Sequence, residues 1–385
     1  MTTKHSFFTL LRRMAALLVL GALVCMPALG CARGSSARES EPAATAVPSP
    51  DAAAQTAEVS GNASDEAAGE PALIPWGGEG AIVDQAVSSA SMIICFMSGE
   101  GMIMTGGAAD SAFGDTKWGD GTLIAFPNGQ TMLIDGGMAS YAPLLLKNLE
   151  ALGIDKLDYV VLSHRHDDHY GGLLCLHGVL ESVKVGTVFS TGIYNGESSD
   201  PARLEAKALE HGVECVRLHK GDAMEFGGVR MEVLWPEADS FGVSTSTAED
   251  TNNSSLVLRF DYGNVSALFT GDLYKSGEIA LITSLDDTTK LDADILKIPH
   301  HGRPTSSSRD FVDAVTPKVA VALGAVIMDT AVYSTYVRDG AKVFMDVYDG
   351  YVKVTTDGRD LSYECSRSRN VAIYDKIDEA FGKAD

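Results

Sequence analysis

Positive charge is scarce in this chain relative to negative. Its 385 residues carry 30 Lys and Arg against 52 Asp and Glu, a formal net charge of −22. Phosphate backbones are gripped by clustered Lys and Arg. The nearest things to a cluster here, Lys297 to Arg303 and Arg367 to Arg369, are sparse. This argues against a broad nucleic-acid-binding surface but leaves room for a local groove. Cysteine is scattered too. Past the N-terminal apolar run stand Cys31, Cys95, Cys175, Cys215 and Cys365, widely spaced and without a C-x-x-C pair. A zinc site built from cysteine alone is therefore disfavoured. Cys175 and Cys215 read as small apolar core residues inside regular elements. No segment after the N-terminus has the length and apolar character of a membrane helix, and no short tandem repeat of the solenoid kind is present.

The N-terminus has a different composition. Lys4, Arg12 and Arg13 precede an apolar stretch, Met14 to Val24, that is too short to span a bilayer, and small residues Ala28-Leu29-Gly30 lead to Cys31. Residues 1–31 read as an export signal. Its end resembles a bacterial lipoprotein box, in which the cysteine is lipidated and becomes the first mature residue, with Ala28 where the pattern prefers Leu. The alternative is an ordinary signal peptide that leaves Cys31 a free thiol. From Ala32 to about Pro75 the chain is Ala, Ser, Glu, Pro and Gly with almost no large apolar residues. Such a segment cannot bury enough surface to offset its ordering entropy. Residues 32–80 are expected to be a disordered tether and 81–385 the folded domain. The expected location is outside the cell, on the membrane, through one lipid at Cys31.

The chemistry is concentrated in one run, Leu162-Ser163-His164-Arg165-His166-Asp167-Asp168-His169-Tyr170-Gly171-Gly172, directly after the apolar Leu157-Asp158-Tyr159-Val160-Val161-Leu162. Imidazole binds zinc-like metals through a neutral nitrogen, and carboxylate adds a hard anionic oxygen. At the end of a strand, His164 and His166 can face one metal while Asp168 and His169 face a second. Asp272 stands in Thr270-Gly271-Asp272. His300 and His301 stand in Leu296-Lys297-Ile298-Pro299-His300-His301-Gly302.

H-x-H-x-D-H followed by Gly-Gly resembles the metallo-β-lactamase fold superfamily, whose members are mostly binuclear metal hydrolases. The motif set resembles in particular the hydrolase domain of ComEC-type competence proteins. It comprises Trp118 to Ile124, Pro127-Asn128-Gly129, Leu133-Ile134-Asp135-Gly136-Gly137, Asn252-Asn253-Ser254-Ser255-Leu256-Val257-Leu258, Phe269 to Asp272 and Leu296 to Gly302. The resemblance covers roughly residues 100 to 360. It implies an α/β fold, an αββα sandwich of two mixed sheets flanked by helices.

The local pattern agrees with alternating elements. Strands are expected at Ser91–Met97, Met102–Met104, Thr122–Phe126, Thr131–Ile134, Asp158–Leu162, Val183–Phe189, Val213–Leu218, Ala223–Phe226, Val229–Trp235, Ser255–Tyr262, Val265–Thr270, Asp294–Ile298, Val319–Leu323 and Lys342–Val347. Helices are expected at Pro143–Leu152, Gly171 to about Leu180, Pro201–His211, Lys275 to about Leu285 and Arg309–Val315. Residues 106–117 read as a Gly-rich loop.

The resemblance also implies roles. Two divalent ions, Zn or Mn, would be held by His164, His166, Asp168 and His169, by Asp272 as the bridge, and by one of His300 and His301. His300 is slightly favoured because it lies closer to its strand. The third histidine that many relatives give to the first metal has no counterpart among His177, His211 and His219. Asn252 occupies that place, and stays open between a metal ligand and a turn residue. Asp135 would orient the histidine loop, Asp120 could be structural, and Asp167 could be merely solvated. A metal-bridging hydroxide would attack, with Asp168 holding a proton or orienting it. Arg303 could clamp an anionic group or be a surface charge. The expected function is phosphodiester hydrolysis, on a small or cell-envelope ester or on nucleic acid. The alternatives are amide or lactone hydrolysis, including β-lactams, and a tethered binding protein with a degenerate metal site. No protein partner is implied.

Overall fold

The computed structural model describes Ile74, Trp76 and residues 81–97, 120–195, 203–238, 244–324 and 327–367. The export signal with Cys31, most of the expected tether, the expected strand Met102–Met104, the Gly-rich loop 106–117 and Trp118-Gly119 lie outside the described residues.

The elements run in chain order from α1 (Ile82–Ser88), β1 (Met92–Met97), β2 (Gly121–Ala125) and β3 (Thr131–Ile134) to α2 (Ala142–Ala151), β4 (Lys156–Val161), α3 (Asp167–Leu174) and α4 (Val179–Ser182). Next come β5 (Lys184–Ser190), β6 (Tyr194–Asn195), α5 (Arg203–Glu210), β7 (Glu214–Arg217), β8 (Ala223–Phe226), β9 (Val229–Trp235), β10 (Ser244–Thr245) and α6 (Ala248–Asn253). The remainder are β11 (Val257–Tyr262), β12 (Val265–Phe269), α7 (Lys275–Ser284), β13 (Ile295–Lys297), α8 (Arg309–Val315), β14 (Val319–Ala322), α9 (Thr330–Arg338), β15 (Lys342–Met345), α10 (Asp346–Asp349), β16 (Val352–Thr356) and β17 (Leu361–Cys365).

An eight-stranded sheet has the order β17-β16-β1-β2-β3-β4-β5-β7, a seven-stranded sheet β15-β14-β13-β12-β11-β9-β8, and β6 pairs with β10 alone. The two large sheets are mixed, as expected. Strand β1 shows why they stack. Met92, Ile94 and Phe96 enter one apolar cluster with Phe260 and Phe269 of the second sheet. Ile93, Cys95 and Met97 enter another with Leu144, Leu145 and Leu149 of α2. A strand buried on both faces reads as a continuous apolar run rather than as an alternation. A third cluster joins Leu296 and Ala320 of the second sheet to Leu281, Phe311 and Tyr336 of α7, α8 and α9. Helix, sheet, sheet and helix are thus joined by three apolar layers.

Several expectations are revised. The helix expected from Gly171 to Leu180 begins at Asp167, inside the metal motif, and stops at Leu174. Gly171 and Gly172 cause this, because a Cβ on Gly172 would lie 1.9 Å from the Gly136 carbonyl oxygen and one on Gly171 2.4 Å from the Ala139 nitrogen. The helix can rest on that segment only with both glycines, and it ends where the packing ends. Asn252 lies in helix α6, capped by Thr247 accepting from the Asp250 N–H, rather than in a turn. The expected strand Lys342–Val347 ends at Met345. Strands β16 and β17 and helix α9 were not foreseen. β16 pairs with β1, more than two hundred residues earlier, so no local signal announces it. Cys175 lies just past the end of α3 and is half-buried, whereas Cys215, half-buried on β7, packs against the first apolar cluster. Ile74 and Trp76, in the segment read as tether, pack against the first apolar cluster, and the Ile74 N–H donates to Asn148 Oδ1 at 3.1 Å.

Candidate metal centre

Strands β3, β4 and β5 run parallel in the first sheet, and β12, β13, β14 and β15 in the second. Their carboxyl ends carry the chemistry, as in open parallel sheets generally. Asp135 follows β3, His164 follows β4, Asp272 follows β12, and His301 follows β13.

Asp135 builds the histidine loop. Its Oδ1 accepts the Ser163 N–H at 2.8 Å, and its Oδ2 accepts the Ser163 hydroxyl at 2.7 Å and His169 Nδ1 at 2.8 Å. Having donated to Asp135, the Ser163 hydroxyl is left to accept from His164 Nδ1, 3.1 Å away. His301 Nδ1 donates to the Leu323 carbonyl at 3.0 Å. All three rings therefore engage Nδ1 with an oxygen and turn Nε2 toward the centre, where the neutral ring carries its lone pair. This is the arrangement that metal-ligating histidines share.

The Nε2 atoms converge on one carboxylate oxygen. Asp272 Oδ2 lies 3.1 Å from His301 Nε2, 3.2 Å from His169 Nε2 and 4.0 Å from His164 Nε2. Asp168 approaches from the other side, with Oδ2 3.6 Å from His301 Nε2. The donor atoms of Asp120, His169, Asp272 and His301 all lie within 4.8 Å of one another, and all four residues are buried. A second group lies beside this one: His164 Nε2 is 3.0 Å from His166 Nδ1, which is 2.9 Å from Asn252 Oδ1.

The sequence left His300 and His301 undecided and leaned towards His300. The structure turns His301 inward instead. His300, His301 and Gly302 all adopt left-handed backbone, with φ of 47°, 56° and 76°. This reversal sends neighbouring rings in different directions. His300 Nδ1 instead meets Thr305 Oγ1 at 2.5 Å, and its ring lies 4.7 Å from that of Tyr274. Two non-glycine residues in this region cost on the order of 1–2 kcal/mol each. Arg303 is half-buried beyond them, its N–H on the His300 carbonyl. His177, His211 and His219 are not part of either donor group.

One participant was not foreseen. Lys297 is buried on β13, a lone cation in an apolar strand. Its ammonium lies 2.9 Å from Asp120 Oδ2 and 3.3 Å from Asp272 Oδ1, and donates to the Gly271 carbonyl. Asp120 is thereby paired to a cation of the chain, and Asp272 keeps one oxygen, Oδ2, for the cluster. The charge in an otherwise apolar Ile295-Leu296-Lys297-Ile298 run was the available signal.

The electrostatics call for positive charge. Burial alone would raise the Asp272 carboxyl, but His301, His169 and Lys297 hold it well below the usual range. Burial disfavours the charged form of His301, yet Asp272 and Asp168 push its pKa up to about 9. His164 is depressed, first by burial and then by His169. His169 Nε2 is buried and forms no hydrogen bond. Protons or a metal cation can satisfy such a cluster, and a cation also uses the orphaned nitrogen. The donor set of imidazoles and carboxylates fits a zinc-like or manganese-like ion.

The metallo-beta-lactamase superfamily model matches residues 119–325, more than half of the chain. The chain belongs to the metallo-beta-lactamase superfamily. Members of this superfamily are generally metal-dependent hydrolases. Among its relatives, ComE operon protein 3 of Bacillus subtilis (strain 168) is 30% identical over 224 residues, covering 54% of this chain and 27% of that protein. Competence protein ComA of Neisseria gonorrhoeae is 31% identical over 208 residues, covering 54% of this chain and 26% of that protein. The chain thus spans about a quarter of the length of these curated relatives. Among solved structures, the metallo-beta-lactamase fold protein YhfI from Bacillus subtilis aligns with a TM-score of 0.41 and 13% identity, covering 66% of this chain and 95% of that one. Among the described residues no helix is long and apolar enough to cross a membrane.

Proposed function

We propose that this chain is an exported, lipid-anchored phosphodiesterase that works with two divalent metal ions. One observation carries the proposal: Asp272 Oδ2 faces ring nitrogens of His301, His169 and His164 at 3.1, 3.2 and 4.0 Å. A single oxygen between two donor groups is what a bridging ligand needs. Asp168, His169, Asp272 and His301 would hold one ion, and His164, His166, Asp272 and Asn252 the other.

When bound, the ions supply Lewis acidity and a hydroxide at neutral pH. The chain's own residues do the rest. Asp135 and Ser163 fix the tautomers of His169 and His164, and Leu323 fixes that of His301. Asp168, on the first turn of α3 and partly exposed, is placed to accept or orient a proton. Arg303 is the candidate clamp for the anionic group of a phosphodiester. The resemblance to competence proteins supports a phosphodiester over an amide or lactone. The net charge of −22 favours a small or envelope-linked ester over a long nucleic acid, because a polyanion is repelled by the rest of the surface.

The test is hydrolysis of bis(p-nitrophenyl) phosphate by the full chain with added Mn or Zn, beside Asp168→Ala. Metal-dependent turnover that falls at least a hundredfold in the variant is expected. Metal bound without turnover on any phosphodiester would overturn the proposal in favour of amide or lactone hydrolysis or a binding role. Cleavage of the natural export signal, with lipid mass on Cys31, tests the anchor.

A further inference from the structure

His300 lies beside the metal centre without joining either donor group. Its ring centroid is 5.8 Å from that of His301, and its backbone N–H donates to the carbonyl of Gly271, the residue before Asp272, at 3.3 Å. The ring is held by two neighbours. Nδ1 meets Thr305 Oγ1 at 2.5 Å, and the Tyr274 ring lies 4.7 Å away at 37°. Each neighbour is tied down in turn. The Tyr274 N–H donates to Asn253 Oδ1 at 3.1 Å, and the Thr305 carbonyl accepts the Lys275 N–H at 2.9 Å. One atom of the ring is left over. Among the described residues His300 Nε2 has no hydrogen-bond or ion-pair partner, and the residue is half-buried rather than sealed. The hydroxyl on Nδ1 sets the tautomer. Ser163 gives its proton to Asp135 and so accepts from His164. Thr305 has no such carboxylate among the described residues, so its proton is free for His300 Nδ1. The neutral ring then carries its own proton on Nε2. His300 is thus prepared as a donor, where its neighbours are prepared as ligands.

We propose that His300 is a further catalytic residue, whose Nε2–H donates a hydrogen bond to the ester oxygen that leaves phosphorus. This inference rests on the phosphodiesterase reading. The incoming hydroxide oxygen bonds to phosphorus, the bond to the leaving oxygen breaks, and that oxygen keeps the electron pair. It then takes a proton from water, so the imidazole stays neutral and transfers nothing. A neutral N–H suits this oxygen in particular. The ester oxygen has little charge in the substrate and gains it only as the bond breaks, so the hydrogen bond strengthens in the transition state. The non-bridging oxygens are charged from the start and suit the metal ions and Arg303 instead. The backbone fits the same division of labour. His300 and His301 both hold left-handed φ, 47° and 56°, a strain that persists where surrounding structure enforces it for function. It lets adjacent residues serve as donor and ligand.

The experiment compares the full chain with His300→Asn, His300→Gln and Thr305→Val, each analysed for bound metal. The substrates are aryl methyl phosphates whose leaving groups run from dinitrophenol, a weak base when it departs, to phenol, a stronger one. Asn tolerates left-handed backbone and can still meet Thr305, but is too short to reach the place of Nε2. His300→Asn is expected to keep the wild-type metal content and KM. Its kcat should fall about a hundredfold on the phenyl ester and roughly tenfold or less on the dinitrophenyl ester. The longer amide of His300→Gln reaches the place of Nε2 and should recover about tenfold of the loss on the phenyl ester. Thr305→Val frees the ring and should show the same dependence on leaving group to a smaller degree; it carries the comparison if His300→Asn fails to fold by circular dichroism. An equal loss on every leaving group would overturn the inference. So would an unchanged kcat on the phenyl ester, or lost metal, in a folded His300→Asn. In each of these cases metal-dependent turnover by the wild type leaves the hydrolase reading standing. A wild type that binds metal and cleaves none of the esters would overturn both.

Discussion

At the residue scale the structure separates two histidines that are neighbours in the chain. His301→Ala removes a ring that faces Asp272 Oδ2, and should cut both metal retention and phosphodiester turnover by at least a hundredfold. His300→Ala removes a ring held by Thr305 and Tyr274, and should leave metal content unchanged; comparable metal loss in both would refute the assignment. Asp135→Asn leaves one acceptor oxygen where the Ser163 N–H, the Ser163 hydroxyl and His169 use two, and should weaken metal binding about 10–100-fold, measured by competition with a chromophoric chelator. The donor types were legible because H-x-H-x-D-H is compact. The choice of His301 was not, because it depends on three left-handed residues in a row, and ordinary spacing rules assume an extended chain. Lys297 was equally hidden, because its partners Asp120 and Asp272 come from distant strands.

At the element scale the fold tolerates buried polar groups where they pin one element to another. Glu278 on α7 is fully buried and accepts the Ser307 and Ser308 N–H groups at 2.5 and 2.7 Å. It thereby anchors the segment leading into α8, whose start Ser308 caps. Glu278→Ala should lower the unfolding free energy by about 1–3 kcal/mol; a change below about 0.5 kcal/mol in chemical denaturation would contradict this. Most strands and the helices α2, α7 and α8 were readable because apolar period and flanking turns agree locally. Helix α9 starts where Asp329 accepts the Ala331 and Val332 N–H groups, a cap that lies in a stretch read only for its lack of histidine. β16 was invisible because its pairing with β1 spans more than two hundred residues, and β17, which pairs with β16, depends on it.

At the scale of the molecule, acid should undo what the carboxylates hold. Burial alone would raise Glu232, but Lys290 and Arg230 bring it below the usual range. Burial alone would likewise raise Asp294, but Lys318 and the Ser266 N–H bring it down. A depressed folded-state pKa gives stability that is present above the unfolded value, near about 4 for these groups, and lost as pH falls through the folded value. Thermal midpoints should therefore hold from about pH 7 to 5 and decline below about 4, with a smaller decline in Glu232→Gln. A second whole-molecule effect comes from the centre. Saturating metal at a hundredfold above its Kd should add about 2.7 kcal/mol to stability, seen as a rise in the thermal midpoint that chelator reverses. The donors span the gap between the two sheets: His164, His166, Asp168 and His169 come from one, Asp272 and His301 from the other. Neither sheet alone carries a complete set, and the last donor is translated well over a hundred residues after the first. The arrangement acts as a safety catch: a half-made or half-folded chain holds no complete donor set, and the centre arms itself only when both sheets have met.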